Sequence, residues 1–186
     1  YMEPTKEKIR VFSNFISKEE IAEALNVLET KTKERWRDNP RVLVVPNQIL
    51  AAFRINVEQS YRISEKIKEV FNIPQKEIYC VDSQLGTWTY EGGSGMHEDT
   101  KNSGYIKFSS IIYLTDEYEG GEINFPYLDF KYKPKAGDLL LFPSHGYIHE
   151  VLPVISGNRS TVVGFFSDVH PALWSPEFYP SEHELY

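Results

Sequence analysis

The sequence predicts a mainly β fold with helices confined to its N-terminal part: an antiparallel sandwich or barrel with helices packed on one sheet. Three observations predict it. From about residue 78, short runs rich in β-branched and aromatic residues follow one another. Turn signals separate them, among them "EGGSG", "KNSG", "YEGG", "KPKAG", "PSHG" and "ISGN". Ahead of these runs lie two stretches in which apolar residues recur at helical spacing.

The elements can be justified in chain order. "SKEE" at 17–20 is a capping box, with Ser17 accepting from the backbone while Glu20 reaches back. Ile21, Leu25 and Leu28 follow on one helical face. A second helix is expected from Asn56, with Ile63, Ile67, Val70 and Phe71 on one side and Asn72 and Pro74 as its stop. Between the helices, "KERWRDNPRVLVVPNQ" at 33–48 is broken by Pro40 and Pro46 and reads as a loop with one short strand. The expected strands are "IYCV", "QLGTWTY", "YIKFSSIIYL", "EINF", "FKYK", "DLLLF", "IHEVLPV" and "STVVGFF". The last stretch, "HPALWSPEFYPSEHELY", carries three prolines and reads as a tail laid over the surface. We therefore expect one domain over 1–186, with a helical lead-in at 1–77, a β core at 78–168 and a tail at 169–186.

Composition narrows the functional classes. Apolar residues make up 41% of the chain, enough for a folded core and too much for a disordered one. The formal net charge is −7, which argues against a protein built to grip nucleic acid, since phosphate binding wants clustered positive charge. Cys80 is the single cysteine, so no intrachain disulfide forms, and a reducing, cytoplasmic setting is expected. No apolar run reaches membrane-spanning length and no signal-peptide pattern opens the chain, so no membrane partner is expected. The oligomeric state is not encoded in any pattern we can read.

The chemistry-bearing residues begin with "MHEDT" at 96–100. His97 and Asp99 stand at i and i+2, which on a strand puts both side chains on one face. They could be solvated surface residues, or two of three ligands to a metal. His149 is the best third ligand. It lies in the apolar run "IHEVLPV", follows the turn "PSHG", and is followed ten residues later by Arg159. Alone it would equally suit a hydrogen-bonded core histidine. Two histidines and a carboxylate on one face leave the opposite face of a metal open, the facial arrangement of non-heme Fe(II) sites. An all-histidine or thiolate set would point to zinc instead.

With these residues in place, the stretch from Tyr90 to Phe166 resembles the catalytic core of the Fe(II)/2-oxoglutarate-dependent dioxygenases, in particular their prolyl 4-hydroxylase-like branch. The matching pieces are "YEGGSGMHED", "SSIIYLTDEYEGGEINFP" and "KPKAGDLLLFPSHGYIHEVLPVISGNRSTVVGFF". "VFSNFISKEEIAEAL" resembles the lead-in of that family.

The resemblance implies a double-stranded β-helix, or jelly roll, with Fe(II) held by His97, Asp99 and His149. It implies 2-oxoglutarate as co-substrate, its far carboxylate paired with Arg159, and dioxygen and ascorbate as further participants. Arg159 stands where the prolyl branch usually carries lysine. Tyr90 and Ser109 fall where the family places hydroxyls on the co-substrate. The implied reaction is hydroxylation of a C–H bond with decarboxylation of 2-oxoglutarate to succinate. Asp99 favours hydroxylation, because related halogenases lack that carboxylate.

The implied substrate is a prolyl residue in a peptide or protein. The alternatives are a hydroxylase of a free amino acid or other small molecule, and a non-catalytic metal-binding jelly roll. Against the last stands Arg159, since a bare metal site needs no carboxylate anchor.

Other residues have plainer readings. His145 reads as a rim or surface residue, and His170 and His183 belong to the tail. Cys80, Trp36 and Trp88 read as core. Gly120 and Gly121 read as a turn. Lys31, Lys33, Arg35 and Arg37 alternate with Glu34 and Asp38 and read as a solvated helix end.

Overall fold

The computed structural model describes residues 3–32, 42–45, 55–100 and 104–174. Within them the chain forms β1 (Arg10–Phe12), α1 (Lys18–Thr32), β2 (Val42–Val45), α2 (Ile55–Val70) and β3 (Tyr79–Trp88). There follow β4 (Ser94–His97), β5 (Phe108–Tyr113), β6 (Tyr118–Gly120), β7 (Ile123–Phe125) and β8 (Phe130–Tyr132). The last are β9 (Leu139–Pro143), β10 (His149–Val151), β11 (Val154–Gly157) and β12 (Arg159–Ser167). A major sheet runs β1-β9-β5-β12-β3-β2, a minor sheet runs β4-β10-β7-β8, and β11 pairs with β6. The strand pairs are antiparallel, as in a jelly roll.

Strand alternation builds two cores from one sheet. Leu139 and Leu141 of β9 and Ile112 of β5 face the helices, with Ala24, Val27, Leu28, Ile63 and Ile67. Their neighbours Leu140, Phe142, Ile111 and Tyr113 point the other way, into the space between the sheets, and meet Ile123, Phe125 and Val151. Leu139 to Phe142 are all apolar because both faces of β9 are covered.

The capping box at α1 forms as predicted: Ser17 Oγ accepts from Glu20 N at 3.1 Å, and Glu20 Oε2 accepts from Ser17 N at 2.8 Å. Glu20 also pairs with Arg62 of α2, so the box ties the two helices. Ser17→Ala should cost about 1 kcal/mol of stability, read as a lower urea midpoint. An unmoved midpoint would mean the box contributes nothing to the fold. At the other end, α2 stops where Asn72 takes a left-handed φ of 53°.

Several boundaries differ from the predicted ones. "IYCV" and "QLGTWTY" are one strand, β3, because its residues pair continuously with β12 apart from a bulge between Phe165 and Phe166. "EGGSG" is not all turn, since Ser94 and Gly95 already belong to β4. "IHEVLPV" divides at Leu152 and Pro153 into β10 and β11, which join different sheets. The lead-in is not helical throughout. It supplies β1 and β2, the two edges of the major sheet, and β2 is the short strand expected within 33–48. The rest of that loop, Trp36 included, and the tail beyond Trp174 with His183 lie outside the described residues. Cys80 sits on β3 as expected, where burial pushes its thiol up to about 11 and keeps it unreactive near neutral pH.

Candidate metal centre

β4 and β10 lie side by side with His97 opposite His149, their ring centroids 4.4 Å apart. Asp99 is not on the strand. It stands in the turn just after β4, and that turn folds its carboxylate back between the two imidazoles. Its Oδ1 lies 3.4 Å from His97 Nε2 and 3.7 Å from His149 Nε2. Ligands held at about 2.1 Å and at right angles on one metal lie roughly 3 Å apart, so small shifts complete a site here. Among the described residues this is the one cluster of histidine, cysteine and carboxylate side chains whose donor atoms converge in this way.

The backbone fixes how both rings are presented. His97 Nδ1 lies 2.7 Å from Gly95 O, and His149 Nδ1 lies 2.9 Å from Tyr147 O. A carbonyl only accepts, so in each ring Nδ1 carries the hydrogen and Nε2 keeps its lone pair for a metal. Burial lowers the pKa of His149, with the Asp99 charge and the Tyr147 carbonyl opposing. Burial alone would raise Asp99. In acid, where the rings are protonated, hydrogen bonding from His97, the charge of His149 and the Ser109 hydroxyl outweigh it, and the carboxyl lies below its ordinary range. The cluster is thus neutral at His149 and anionic at Asp99, the state that binds a cation.

A cavity of about 210 Å³ runs from this cluster between the sheets and is lined by Gln84, Trp88, Ser109, Ile111, Arg159 and Thr161, among others. Arg159 is 3% exposed. Its Nε donates to Gly121 O at 3.0 Å, and its guanidinium lies over the rings of Trp88 (5.1 Å) and Tyr113 (5.4 Å). Its Nη2 and the hydroxyls of Tyr113 and Tyr118 are buried without a well-formed hydrogen bond, although both phenols lie close enough to the guanidinium to interact with it. Burial raises the pKa of both phenols against the pull of the Arg159 charge, so both remain O–H donors.

A buried, charged guanidinium N–H that reaches the cavity without an acceptor is costly unless an anion accepts from it. Gly120 and Gly121 do more than turn the chain. Both have positive φ, and a Cβ on Gly121 would meet Arg159 Cδ at 3.0 Å, so glycine lets the backbone carbonyl reach the guanidinium.

Two residues expected at the co-substrate, Tyr90 and Ser109, stand apart from Arg159. Tyr90 is 63% exposed and does not line the cavity. Pairing with β12 ends at Trp88, Gly92 N closes a turn on Thr89 O, and Trp88 takes the place beside Arg159. Ser109 lines the cavity but stands opposite Phe165, six positions along β12 from Arg159. Its hydroxyl bonds to Ser144 at 2.8 Å and serves Asp99. Sequence reading passed over Tyr113 and Tyr118 as partners of Arg159. Tyr113 shares the parity of inward-facing Ile111, a usable signal, whereas nothing local marks Tyr118. His145 is exposed and His170 caps a short 3₁₀ turn, as their plain readings expect.

A jelly roll with a two-histidine, one-carboxylate face and a buried arginine down the same cavity defines a class of oxygenase domains. Residues 85–167 match the family model of the 2OG-Fe(II) oxygenase superfamily. That stretch, which carries His97, Asp99, His149 and Arg159, is thus similar to the domain of that superfamily.

A protein of Acanthamoeba polyphaga mimivirus assigned as a prolyl 4-hydroxylase is 40% identical over 144 residues, which is 69% of this chain and 54% of that one. A PKHD-type hydroxylase of Prochlorococcus marinus (strain MIT 9215) is 30% identical over 123 residues, covering 62% and 53% of the two chains. The chain thus spans about half the length of the curated relatives it matches. The viral collagen prolyl hydroxylase of Paramecium Bursaria Chlorella virus-1, solved with 2OG, shares the fold. Its TM-score is 0.66 at 20% identity, over 88% of this chain and 97% of that one.

Proposed function

We propose that this protein is a 2-oxoglutarate-dependent dioxygenase that hydroxylates a prolyl residue in a peptide or protein. The observation that carries the oxygenase reading is one cavity with two unmet demands. Its lining offers three converging metal donors, and Arg159 in the same lining carries a buried Nη2 with no acceptor. A dicarboxylate that reaches the metal with one end and Arg159 with the other answers both. The prolyl reading is supported by the relative assigned as a prolyl 4-hydroxylase.

His97, Asp99 and His149 would hold Fe(II). Bound there with 2-oxoglutarate and dioxygen, it supplies the oxidising chemistry that converts a C–H bond to C–OH and 2-oxoglutarate to succinate and carbon dioxide. The chain supplies the geometry. The Gly95 and Tyr147 carbonyls set the imidazoles, and Asp99 is held anionic by its neighbours. Arg159, buried and flanked by Trp88 and Tyr113, would grip the far carboxylate with its planar fork. The His97 side chain is 40% exposed while those of His149 and Asp99 are under 10%, so substrate approaches over His97.

The test is to incubate the protein with Fe(II), 2-oxoglutarate, ascorbate and a panel of proline-containing peptides. The expected result is a peptide mass gain of one oxygen, matched mole for mole by succinate and abolished when proline is replaced by alanine. Succinate formed with no peptide oxidised across the panel would overturn the prolyl reading and leave the oxygenase standing.

A further inference from the structure

Between the two ligands of the HxD motif stands Glu98, which has no part in the site as described so far. Its carboxylate spans two turns. Oε1 accepts from the Thr100 hydroxyl at 3.0 Å, within its own turn. Oε2 accepts from Gly146 N at 2.8 Å, across 48 positions of chain. His145 Nδ1 lies 3.9 Å from the same oxygen.

The turn it grips is the one that delivers His149. Tyr147, next to Gly146, supplies the carbonyl that fixes the His149 ring, and Ser144 bonds to the Ser109 hydroxyl that serves Asp99. Gly146 has a φ of 78°, so the donated N–H sits in a bend that few other residues adopt without strain. The ladder between β4 and β10 is itself short and irregular, shifting register between His149 and Val151. It therefore holds the spacing of the two ligand-bearing segments only loosely.

We propose that Glu98 is a positioning residue: a clasp that joins the turn carrying Asp99 to the turn leading to His149 and sets the separation of the metal ligands. The role rests on the reading of His97, Asp99 and His149 as the metal site. A bond from a charged carboxylate to a backbone N–H is among the stronger ones available for such a task. Losing partners that orient ligands typically weakens metal binding by about 10–100-fold.

Two measurements test it. In the metal-free protein, amide exchange at Gly146 is followed by NMR for wild type, Glu98→Ala, Glu98→Gln and Thr100→Val. Mn(II) affinity is then titrated for each. Glu98→Ala should expose the Gly146 amide and weaken Mn(II) by about tenfold or more, with an unfolding midpoint near that of wild type. Glu98→Gln keeps a carbonyl acceptor and should recover part of both losses. Thr100→Val removes the contact to Oε1 and leaves Oε2 to accept from Gly146, so it should leave Gly146 protected and weaken Mn(II) less than Glu98→Ala.

If Glu98→Ala should fail to fold, Glu98→Gln and Thr100→Val carry the test. Mn(II) affinity in both equal to wild type would then overturn the clasp. Wild-type protection and affinity in a folded Glu98→Ala would do the same. Failure of wild type itself to bind Mn(II) would overturn the metal reading and the clasp with it, an outcome distinct from the others.

Discussion

Arg159→Ala raises the dissociation constant for 2-oxoglutarate by about 30-fold or more and leaves Mn(II) affinity unchanged. Truncating one partner of a buried, hydrogen-bonded charge pair costs about 2–5 kcal/mol. Each 1.4 kcal/mol is a factor of ten in affinity, so the lower bound alone is roughly 30-fold. Arg159 is 3% exposed and its Nη2 has no partner, so the ligand would meet a fully desolvated donor. Mn(II) is unaffected because Arg159 is not in the ligand cluster.

The ligand-free protein should respond in the opposite sense. Arg159→Met removes a buried charge that has no ion-pair partner among the described residues, and keeps most of the packing on Trp88 and Tyr113. Its melting temperature without ligand should equal or exceed that of wild type, while the rise normally produced by 2-oxoglutarate disappears. Arg159→Lys keeps the charge but not the fork, and should fall between. A 2-oxoglutarate titration of Mn(II)-loaded Arg159→Ala that matches wild type would sink the co-substrate reading of this pocket.

His97→Ala and Asp99→Ala each abolish Mn(II) binding and turnover. Two remaining donors hold a labile ion poorly, and the loss should exceed the roughly 100-fold that orienting partners reach. Asp99→Glu should not restore binding, because the added methylene pushes the carboxylate past the point where the two Nε2 atoms converge.

His97 is the cleaner site for the test. Its side chain is 40% exposed, so its removal should leave the unfolding midpoint almost unmoved. His149 is different. Its ring packs against Phe125 (5.3 Å) and Phe142 (5.2 Å) inside the sandwich core. His149→Ala should therefore lose stability as well as metal, by about 2 kcal/mol or more, as other large-to-Ala truncations in a core do. Calorimetric titration with Mn(II), paired with urea unfolding, separates the two losses. Wild-type Mn(II) affinity in His97→Ala or Asp99→Ala would show that the metal, if any, binds elsewhere.

Much of this molecule can be read from local pattern. The capping box at Ser17 and Glu20 is legible because both partners lie within one turn of helix. The β core is legible because turn residues punctuate it and because the alternation of Leu139 to Phe142 divides two buried faces. The positions of His97, Asp99 and His149 were legible from residue type, spacing and resemblance together. Even so, the reason given for the first pair was not the one that operates. They meet because a turn folds Asp99 back, not because both project from one strand face.

What the sequence by itself determined is the order of elements, the two-faced character of the strands and the residue types available for a metal and a carboxylate. Tertiary structure alone decided which of them meet. Arg159 stands beside Trp88 and near Tyr113 because it pairs with Trp88, 71 positions away, while Thr161 pairs with Tyr113, 48 positions away, and no local spacing encodes such pairings. The same register sets Ser109 by Asp99, and Tyr90 lies exposed beyond the last β3–β12 pair, although both fall where the family places hydroxyls on the co-substrate. Glu98 is the sharpest instance. In sequence it is the unspecified residue of a three-letter motif, and only folding brings Gly146 to its carboxylate. The reason is physical: side-chain direction follows from the chain's own period, but side-chain company follows from register between distant strands, which the whole core sets at once.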